Sequence, residues 1–259
     1  MKKTVKELLL IENTQLNKDN FRLVLQSDEV LPPMDPGQFI NLEIRKSNEI
    51  FLRRPFSVLD SDPERRTFSI LVKILGRGSK ALTTCSPGEF ISTVFPLGRS
   101  FTPPRSGERI LLVGGGSGVA PMLFLARRSR LSREQVNVLL GARSREDHID
   151  TRQYESCGML YRTTEDGSLG EKGYVTDHFI YKNGLGAFDR VYACGPNPMM
   201  KAVARDARAA GVFCEVSLEN MMACGFGVCL CCVEKTTSGN RCVCTEGPVF
   251  NVNELTWQI

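Results

Sequence analysis

The sequence lacks a hydrophobic run long enough to cross a membrane, and it lacks an export signal. The longest apolar stretch, residues 110–126, contains glycines and a proline and is shorter than the about 20 apolar residues of a transmembrane helix. Near the N-terminus, the apolar run of residues 8–11 is too short for the core of a signal peptide. We therefore expect a cytoplasmic protein with no membrane partner.

Concentrated basic charge and histidine are also scarce. The chain has 33 Lys and Arg residues and a formal net charge of +4, and its basic residues are scattered rather than clustered. A nucleic-acid partner is not expected, because proteins that bind nucleic acids carry basic patches or stripes. The two histidines, His148 and His178, have no accompanying arrangement of carboxylates, so the sequence predicts no catalytic side chain.

The sequence divides into three segments whose patterns predict a multidomain β plus α/β protein. Residues 1–103 contain short strands separated by clusters of Asp, Pro, Gly and Ser, which is typical of an antiparallel β-barrel. In residues 104–211 apolar strands alternate with helical segments, which indicates a parallel sheet in a Rossmann-like domain. Residues 212–259 are predicted to form a small module rich in cysteine and glycine.

Two short motifs of the first segment suggest a phosphate site. In LRRPFSV, Arg54 offers a planar fork for phosphate oxygens, and the Ser57 hydroxyl can bond the edge of a heterocycle. In GRGS, Gly76 and Gly78 precede Ser79, so that a turn and a helix N-terminus can face a phosphate. Taken alone, each motif favours a structural interpretation: an edge strand with an exposed arginine, and a turn with Ser79 as the N-cap.

Two glycine-containing turns in the second segment suggest nucleotide binding. The stretch LLVGGGSGVAPM follows a strand and precedes a helix, and its glycines let the backbone approach a pyrophosphate. A second turn ends a later strand, and ligands of parallel sheets gather at the carboxyl ends of strands. The residues of the two turns are Gly114, Gly115, Gly116, Gly118, Cys194, Gly195 and Pro196. For the first turn, the alternative is tight packing without a ligand.

Six of the ten cysteines lie close together near the C-terminus, which allows a disulfide staple, a zinc site or an iron–sulfur cluster. A cytoplasmic protein keeps its thiols reduced, which argues against disulfides. Cys224, Cys229 and Cys232 have the C-x4-C-x2-C spacing of plant-type [2Fe–2S] ferredoxins, whereas zinc ribbons prefer paired C-x2-C knuckles. The spacing leaves the fourth ligand open between Cys242 and Cys244, which we expect on one face of one strand.

Together these motifs resemble the ferredoxin–NADP reductase superfamily and, more narrowly, the electron-transfer subunits of B-type dihydroorotate dehydrogenase. The stretches that carry the resemblance are RRPFSV, GRGS, LVGGGSGVAPM, TTEDGSLGEKGYVTD, YACGPNPMMKAV and, most specific, SLENMMACGFGVCLCCV with VCTEGPVF. They are spread over nearly the whole chain. The resemblance implies a barrel that binds FAD, a Rossmann-like domain that meets NAD, and a C-terminal [2Fe–2S] module.

The resemblance also implies particular site residues. Those implied for FAD are Arg54, Pro55, Phe56, Ser57, Leu71, Val72, Lys73, Gly78 and Ser79. Among them, Arg54 is expected near the pyrophosphate and Ser57 near the flavin ring, while the two glycine turns are expected to contact NAD. The resemblance selects the cysteine before TEGPVF as the fourth cluster ligand, and the implied set is Cys224, Cys229, Cys232 and Cys244.

The choice of NAD over NADP follows the family too. In GARSREDH, Ser144 and Arg145 would favour a 2′-phosphate, whereas Glu146 and Asp147 would oppose one. Since these residues favour different cofactors, the local sequence does not decide between NAD and NADP, and the resemblance favours NAD.

Finally, the resemblance implies an activity and a partner. A flavin exchanges electrons singly with a cluster and in pairs with nicotinamide, so a chain with all three sites converts between the two kinds of carrier. The family passes electrons from the FMN of a catalytic subunit, which oxidises dihydroorotate, to NAD⁺ in pyrimidine biosynthesis, in a heterotetramer with two copies of each subunit. Alternatives are the flavin subunit of a ferredoxin:NADP transhydrogenase or a sulfhydrogenase, and a zinc-stapled binding module without enzymatic activity. Cys224 argues against the transhydrogenase, whose related subunits have aspartate as first ligand.

Overall fold

The computed structural model describes residues 3–46, 49–149 and 152–257, and its first part is a closed antiparallel barrel. The barrel strands are β1 (Thr4–Gln15), β2 (Asn20–Gln26), β3 (Phe39–Leu42), β4 (Arg54–Asp62), β5 (Thr67–Lys73) and β6 (Phe90–Leu97). Around the barrel they follow the order β1, β2, β5, β4, β3, β6, and a short helix, α1 (Arg77–Thr83), lies between β5 and β6 in the chain. The predicted barrel is confirmed.

Alternation of side chains explains why these strands close on themselves. In β1, Leu8 and Leu10 are buried, whereas Val5 points outward and is exposed. Leu23 and Leu25 of β2 follow the same two-residue period and belong to the same interior cluster. Each strand therefore has one apolar face, and closing the sheet buries those faces together and removes the sheet edges.

The second part of the protein is a seven-stranded sheet. Its strands are β7 (Ile110–Gly115), β8 (Val136–Ala142), β9 (Met159–Thr164), β10 (Glu171–Lys172), β11 (Arg190–Cys194), β12 (Phe213–Ser217) and β15 (Val249–Asn251). Between β12 and β15 in the chain, β13 (Val233–Thr236) and β14 (Gly239–Cys242) form a separate hairpin. The sheet order is β10, β9, β8, β7, β11, β12, β15. Neighbours are parallel except β12 and β15, so the predicted parallel, Rossmann-like sheet is confirmed.

Five further helices accompany this sheet within the described residues. They are α2 (Val119–Arg128), α3 (Arg152–Glu155), α4 (Phe179–Lys182), α5 (Asn197–Ala209) and α6 (Val243–Glu246). α2 packs against both β7 and the barrel strand β4, so it joins the two parts of the protein. α5 packs on β11 and β12 through a stripe of buried residues at helical spacing. Across the described residues, no helix is long and apolar enough to cross a bilayer.

The sheet crosses the predicted boundary between residues 211 and 212. β12 lies in the predicted C-terminal module, yet it pairs in parallel with β11, and its residues Cys214 and Val216 are buried in the sheet core. β15 returns to the same sheet after the cysteine-rich segment. The apolar residues of β12 explain the difference, because a strand buried inside a sheet needs cover that a small module does not supply. The domain limits at residues 103 and 211 stay predictions.

Gly118 permits a close contact between α2 and the end of β11. A Cβ atom at this position would lie 2.1 Å from the carbonyl oxygen of Cys194 and 2.2 Å from its carbonyl carbon. We expect Gly118→Ala to lower the free energy of unfolding by about 1–3 kcal/mol or more, because backbone must shift to admit the methyl group. Urea unfolding followed by circular dichroism measures this change.

Gly186→Ala is the matched control for that substitution, because no atom lies within 4 Å of the Cβ position of Gly186. The control should leave the free energy of unfolding within about 1 kcal/mol of the wild-type value. If the two substitutions destabilise the protein equally, the packing role of Gly118 is refuted.

Candidate functional site

A cavity of about 230 Å³ lies where the barrel, the sheet and the C-terminal segment meet. The barrel side of its wall consists of Phe39, Pro55, Phe56, Ser57, Leu71, Lys73 and Leu75. The other side consists of Ser117, Ala120, Ser217, Leu218, Glu219, Asn220, Met222 and Pro248. Most of the residues that the resemblance implied for FAD therefore lie on one wall of one cavity.

The remaining residues implied for FAD lie away from this wall. The side chain of Val72 is buried in the barrel core, so only its main chain is available to a cofactor. Arg54 extends over α1, and its Nε lies 3.0 Å from the Cβ position of Gly78. Since a guanidinium group and a helix N-terminus both attract anions, this pair of features suits a phosphate.

Ser79 is not the N-cap that the structural interpretation predicted. α1 begins at Arg77, and its N-cap is Gly76. Ser79 lies in the first turn, where its Oγ accepts hydrogen bonds from the N–H groups of Leu75 at 2.8 Å and Gly76 at 3.2 Å. The side chain bonds back to the main chain that leads into the helix, as the third residue of a capping box does.

Glu219 lies on the cavity wall. It belongs to the stretch SLENMMACGFGVCLCCV but was not among the predicted site residues. The Ser117 hydroxyl donates a hydrogen bond to Glu219 Oε1 at 3.3 Å. The carboxyl group is open to the cavity, but burial by the surrounding protein raises its pKa, against the opposing effects of Ser117 and Lys73. Carboxyl groups with a raised pKa are common in functional sites.

The two glycine turns lie side by side at the carboxyl ends of β7 and β11. Gly118 packs on the main chain of Cys194, and a Cβ atom on Gly195 would lie 2.8 Å from the carbonyl oxygen of Gly115. Gly116, which has a φ of +58°, differs from these residues because its Cβ position has no close neighbour, Lys73 Nζ being 3.8 Å away. Tight packing thus accounts for part of the glycine pattern, while the turns occupy the edge where parallel sheets bind ligands.

The other residues of the two turns also make internal contacts. The Cβ position of Gly114 lies 3.0 Å from Leu140 Cδ2, and Pro196 is the N-cap of α5. Cys194 is fully buried, and its Sγ donates to the carbonyl oxygen of Ser217 at 3.5 Å. Burial raises the pKa of Cys194 well above its ordinary value, so this thiol is not a nucleophile.

Polar groups in the loop after β8 are engaged with the protein. Arg145 donates from Nε and Nη2 to the carbonyl oxygen of Ser168, at 3.1 and 2.9 Å. The Ser144 hydroxyl donates to Asp147 Oδ2 at 3.1 Å. Both residues that would favour a 2′-phosphate already have partners, and Asp147 adds negative charge beside them. This loop therefore favours NAD over NADP.

Residues 219–232 form a loop that we call the cysteine loop. Backbone N–H groups in this loop and in α6 point at sulfur atoms. The N–H of Cys244 donates to Cys232 Sγ at 3.3 Å, and the N–H groups of Phe226 and Cys229 donate to Cys224 Sγ, each at 3.5 Å. Burial raises the pKa of Cys224, but the backbone donors outweigh burial and lower the pKa to about 6. At neutral pH this residue is therefore mainly the thiolate, which is the form that binds metals.

Cys242 and Cys244 do not share one face of a strand, so that expectation is wrong. β14 ends at Cys242, and the chain turns directly into α6, which contains Cys244. Cys244 is fully buried beside Cys232, whereas Cys242 is only partly buried. Burial, with a smaller effect from the hydrogen bond to Cys232, raises the pKa of Cys244 to about 12, so a metal ion would displace its proton.

Glycines allow the cysteine loop to fold tightly. Gly225 has a φ of +80° and Gly227 a φ of +88°. A Cβ atom on Gly225 would lie 2.8 Å from Asn41 Nδ2, and one on Gly227 would lie 3.0 Å from Thr245 Cγ2. Side chains at these two positions would hold the loop away from the barrel and from the turn that carries the fourth thiol.

Hydrogen bonds to sulfur join these four cysteines, all of them free thiols, in two pairs. The N–H of Cys229 donates to Cys224 Sγ, and the N–H of Cys244 donates to Cys232 Sγ. Among the described residues, no three His, Cys, Asp or Glu side chains are arranged to hold one metal ion. Two pairs of thiols suit a [2Fe–2S] cluster, which shares four thiolates between two irons, better than a zinc ion, which draws its ligands around one centre. This donor set therefore fits the cluster.

The histidines have partners outside the cavity wall. His148 Nε2 lies 3.2 Å from the carbonyl oxygen of Thr163, and His178 Nδ1 accepts from the N–H of Ile180 at 3.2 Å. Burial lowers the pKa of both residues. Their contacts describe packing and capping rather than acid–base chemistry.

Three family models match successive parts of the chain. Residues 7–101 match the oxidoreductase FAD-binding domain, and residues 112–205 match the oxidoreductase NAD-binding domain. Residues 219–256 match the iron–sulfur cluster binding domain of dihydroorotate dehydrogenase B. The three matches follow the order of the barrel, the parallel sheet and the cysteine loop.

Curated relatives match the chain over nearly its whole length. The electron transfer subunit of dihydroorotate dehydrogenase B (NAD(+)) from Shouchella clausii is 36% identical over 261 residues, which are 98% of this chain and 99% of the relative. The subunit of the same name from Caldanaerobacter subterraneus is 38% identical over 224 residues, which are 85% of this chain and 86% of the relative. Both identities are high enough to establish common descent.

Solved structures share the fold, and together with the relatives they identify the family. A structure of an NADH-dependent reduced ferredoxin-NADP oxidoreductase, studied for flavin-based electron bifurcation, has a TM-score of 0.83 and 29% identity and covers 97% of this chain and 90% of its own. The ferredoxin reductase of carbazole 1,9a-dioxygenase, at 22% identity and a TM-score of 0.70 with 82% and 67% covered, shows the fold alone. With its cluster-binding domain and its full-length relatives, the chain belongs to the family of dihydroorotate dehydrogenase B electron transfer subunits.

Proposed function

We propose that this protein is the electron transfer subunit of a dihydroorotate dehydrogenase that uses NAD⁺ in pyrimidine biosynthesis. It receives electrons from the FMN of a catalytic subunit that oxidises dihydroorotate, and it passes them through a [2Fe–2S] cluster and FAD to NAD⁺. The observation that carries the proposal is the cavity at which three parts of the chain meet. They are the flavin motif LRRPFSV, the first glycine turn with Ser117, and the start of the cysteine loop. A bound flavin exchanges electrons singly and in pairs, as this connection requires.

Chain residues around the cavity have separate tasks in this proposal. Arg54 and the N-terminus of α1 would hold the pyrophosphate of FAD, while Ser57 and Lys73 would offer polar groups to the flavin ring. Glu219 would offer a carboxyl group beside the ring, where the Ser117 hydroxyl donates a hydrogen bond to its Oε1 at 3.3 Å. Ser117 lies both in the first glycine turn and on the cavity wall, so the turn would hold a nicotinamide next to the flavin site. Hydride transfer then depends mainly on stacking geometry.

An exposed apolar surface surrounds the proposed cluster ligands Cys224, Cys229, Cys232 and Cys244. Met221, Val228 and Leu230 are 82%, 76% and 62% exposed, and the exposed Cys229 lies between the last two. We name Met221, Val228, Cys229 and Leu230 the cluster face. Exposed apolar patches of this kind commonly mark protein interfaces. The FMN-containing catalytic subunit covers the cluster face in our proposal, within a heterotetramer that has two copies of each subunit.

A second candidate is the flavin subunit of a complex that links NADH to ferredoxin. It is favoured by the likeness to the NADH-dependent reduced ferredoxin-NADP oxidoreductase, which extends over 97% of this chain. The cavity and the glycine turns would serve that reaction too, but Cys224 argues against it, because related transhydrogenase subunits have aspartate as the first cluster ligand. Reduction of NAD⁺ by dihydroorotate in the assembled complex separates the two candidates.

The cytoplasm is the proposed location. All ten cysteines, which lie within the described parts of the chain, are free thiols. Reduced thiols and iron–sulfur clusters suit a reducing compartment, whereas exported proteins commonly form disulfides.

The first test concerns the division of labour between the subunits. Alone, the protein should oxidise NADH with artificial acceptors but should not turn over dihydroorotate, and an FMN-containing catalytic subunit should confer NAD⁺-dependent dihydroorotate oxidation. Cys229→Ser should lower the coupled activity by more than about tenfold and the NADH–acceptor activity by less than about twofold, because hydride transfer to FAD does not involve iron. Steady-state assays of both activities measure this. Equal loss of both would show that the cysteine loop is structural, and dihydroorotate turnover by the lone chain would overturn the proposal.

A second test distinguishes the fourth ligand. Cys244→Ser should lose the cluster while FAD stays bound, because the Cys244 thiol is buried against Cys232. Cys242→Ser and Cys231→Ser are the matched controls and should retain iron. Iron, zinc and FAD contents of anaerobically purified protein measure the outcome, with about one FAD and one [2Fe–2S] expected per wild-type chain. Loss of the cluster from the Cys242 variant but not from the Cys244 variant would refute the assignment, as would stoichiometric zinc without iron.

The third test concerns the cluster face. The double substitution Met221→Asp with Val228→Asp should weaken association with the catalytic subunit by about tenfold or more, because burying two carboxylates in an apolar interface is costly. Val30→Asp is the matched control, since Val30 is 79% exposed but lies in the connection between β2 and β3, outside the cluster face. Analytical ultracentrifugation of the mixed subunits measures association, and the FAD and iron contents should not change. Unchanged association of the double variant would place the interface elsewhere.

A further inference from the structure

Asn41 links the barrel to the cysteine loop. It lies in β3, where Ile40 and Leu42 point into the barrel core and Asn41 points to the outer face. Although it is on the outside of the barrel, Asn41 is 0% exposed, because the cysteine loop covers it. Its Nδ2 donates a hydrogen bond to the main-chain carbonyl oxygen of Cys224 at 3.1 Å.

The loop is shaped to meet this side chain. Gly225 follows Cys224 with a φ of +80°, and its Cβ position lies 2.8 Å from Asn41 Nδ2. The next N–H donors along the loop, those of Phe226 and Cys229, point back at Cys224 Sγ. The hydrogen bond from Asn41 therefore fixes the carbonyl group of Cys224, and the loop turns around the sulfur atom from this residue onward.

The side-chain carbonyl oxygen of Asn41 indicates that this residue has more than a packing role. Asn41 Oδ1 is buried without a hydrogen-bond partner among the described residues. A buried carbonyl oxygen without a partner costs stability, and an apolar side chain of similar shape would avoid that cost. Since packing alone would favour leucine here, the amide donor explains why a polar residue lies at this position.

The same strand also touches the proposed flavin site. Phe39, two residues before Asn41 and on the same outer face, lines the cavity. Asn41 itself pairs with Pro55 on the neighbouring strand β4, and Pro55 lies in the motif LRRPFSV and on the cavity wall. A displacement of Cys224 relative to Asn41 is thus also a displacement relative to the flavin site.

We propose that Asn41 is a positioning residue for the iron–sulfur cluster. Through the carbonyl group of Cys224 it fixes the start of the ligand loop on the rigid barrel, so that the loop N–H groups stay directed at the sulfur. This inference rests on the proposed cluster at Cys224, Cys229, Cys232 and Cys244. Partners that orient metal ligands from outside the first coordination shell typically contribute about 10- to 100-fold to metal affinity.

The experiment compares three variants of the full-length, anaerobically purified protein with bound cofactors. Asn41→Leu removes the donor and the unpaired oxygen, and Asn41→Asp keeps the shape but places an acceptor where the donor was. Asn20→Leu is the matched control: Asn20 is buried in β2, three strands away around the barrel, its Oδ1 also lacks a partner, and its Nδ2 bonds Asn17 Oδ1 at 2.8 Å. The readouts are the rate of cluster loss to excess chelator, the EPR spectrum of the reduced cluster, and FAD retention.

Both Asn41 variants should lose the cluster about tenfold faster than wild type and should show shifted EPR g values, while FAD stays bound. Asn20→Leu should match wild type in cluster release and in EPR. If Asn41→Leu fails to fold, Asn41→Asp alone decides the result. Cluster release and EPR spectra equal to those of the control would overturn the inference, and so would simultaneous loss of FAD and cluster, which indicates a barrel defect. A wild-type protein without a [2Fe–2S] EPR signal would instead refute the cluster assignment itself.

Discussion

The pairing of β12 with β15 is the constraint on which the functional arrangement depends. These strands join Val216 to Phe250 and Ser217 to Val249, so both ends of the cysteine-rich segment are anchored at one edge of the sheet. The N–H of Leu218 donates to the carbonyl oxygen of Pro248 at 2.9 Å and continues this anchor. Because both ends are fixed, the segment between them is a closed loop with a defined position rather than a flexible appendage.

The anchor also connects the sheet to the barrel. The N–H of Arg99, just after β6, donates to the carbonyl oxygen of Gly247 at 2.6 Å, next to the start of β15. Glu219 lies at the other end of the anchor, immediately after β12, and faces the cavity. From there the chain reaches Cys224, which Asn41 holds against the outside of the barrel. One short strand pair thus brings the flavin-motif residues, the glycine turns and the thiols to a common centre.

Several site features depend on contacts that local sequence patterns do not contain. Glu219 meets Ser117 across 102 residues, and Asn41 meets Cys224 across 183 residues. Sequence periodicity could not separate Cys242 from Cys244, because the strand ends between them and a helical turn redirects the second thiol. In the same way, the sequence pattern assigns β12 to the cysteine-rich segment, and only its pairing with β11 shows that it is a strand of the sheet.

By itself, the sequence determined the barrel strands, the parallel sheet, the cysteine spacing and the family. These features rest on local alternation, on glycines at strand ends and on the spacing of a few ligands, all of which a single stretch of chain contains. Only the tertiary structure decided that the flavin motif and Glu219 share one cavity, that Cys244 is the thiol buried against Cys232, and that β12 belongs to the sheet. Burial and pKa depend on which distant segments cover a group, and that covering exists only once the barrel, the sheet and the loop have packed together.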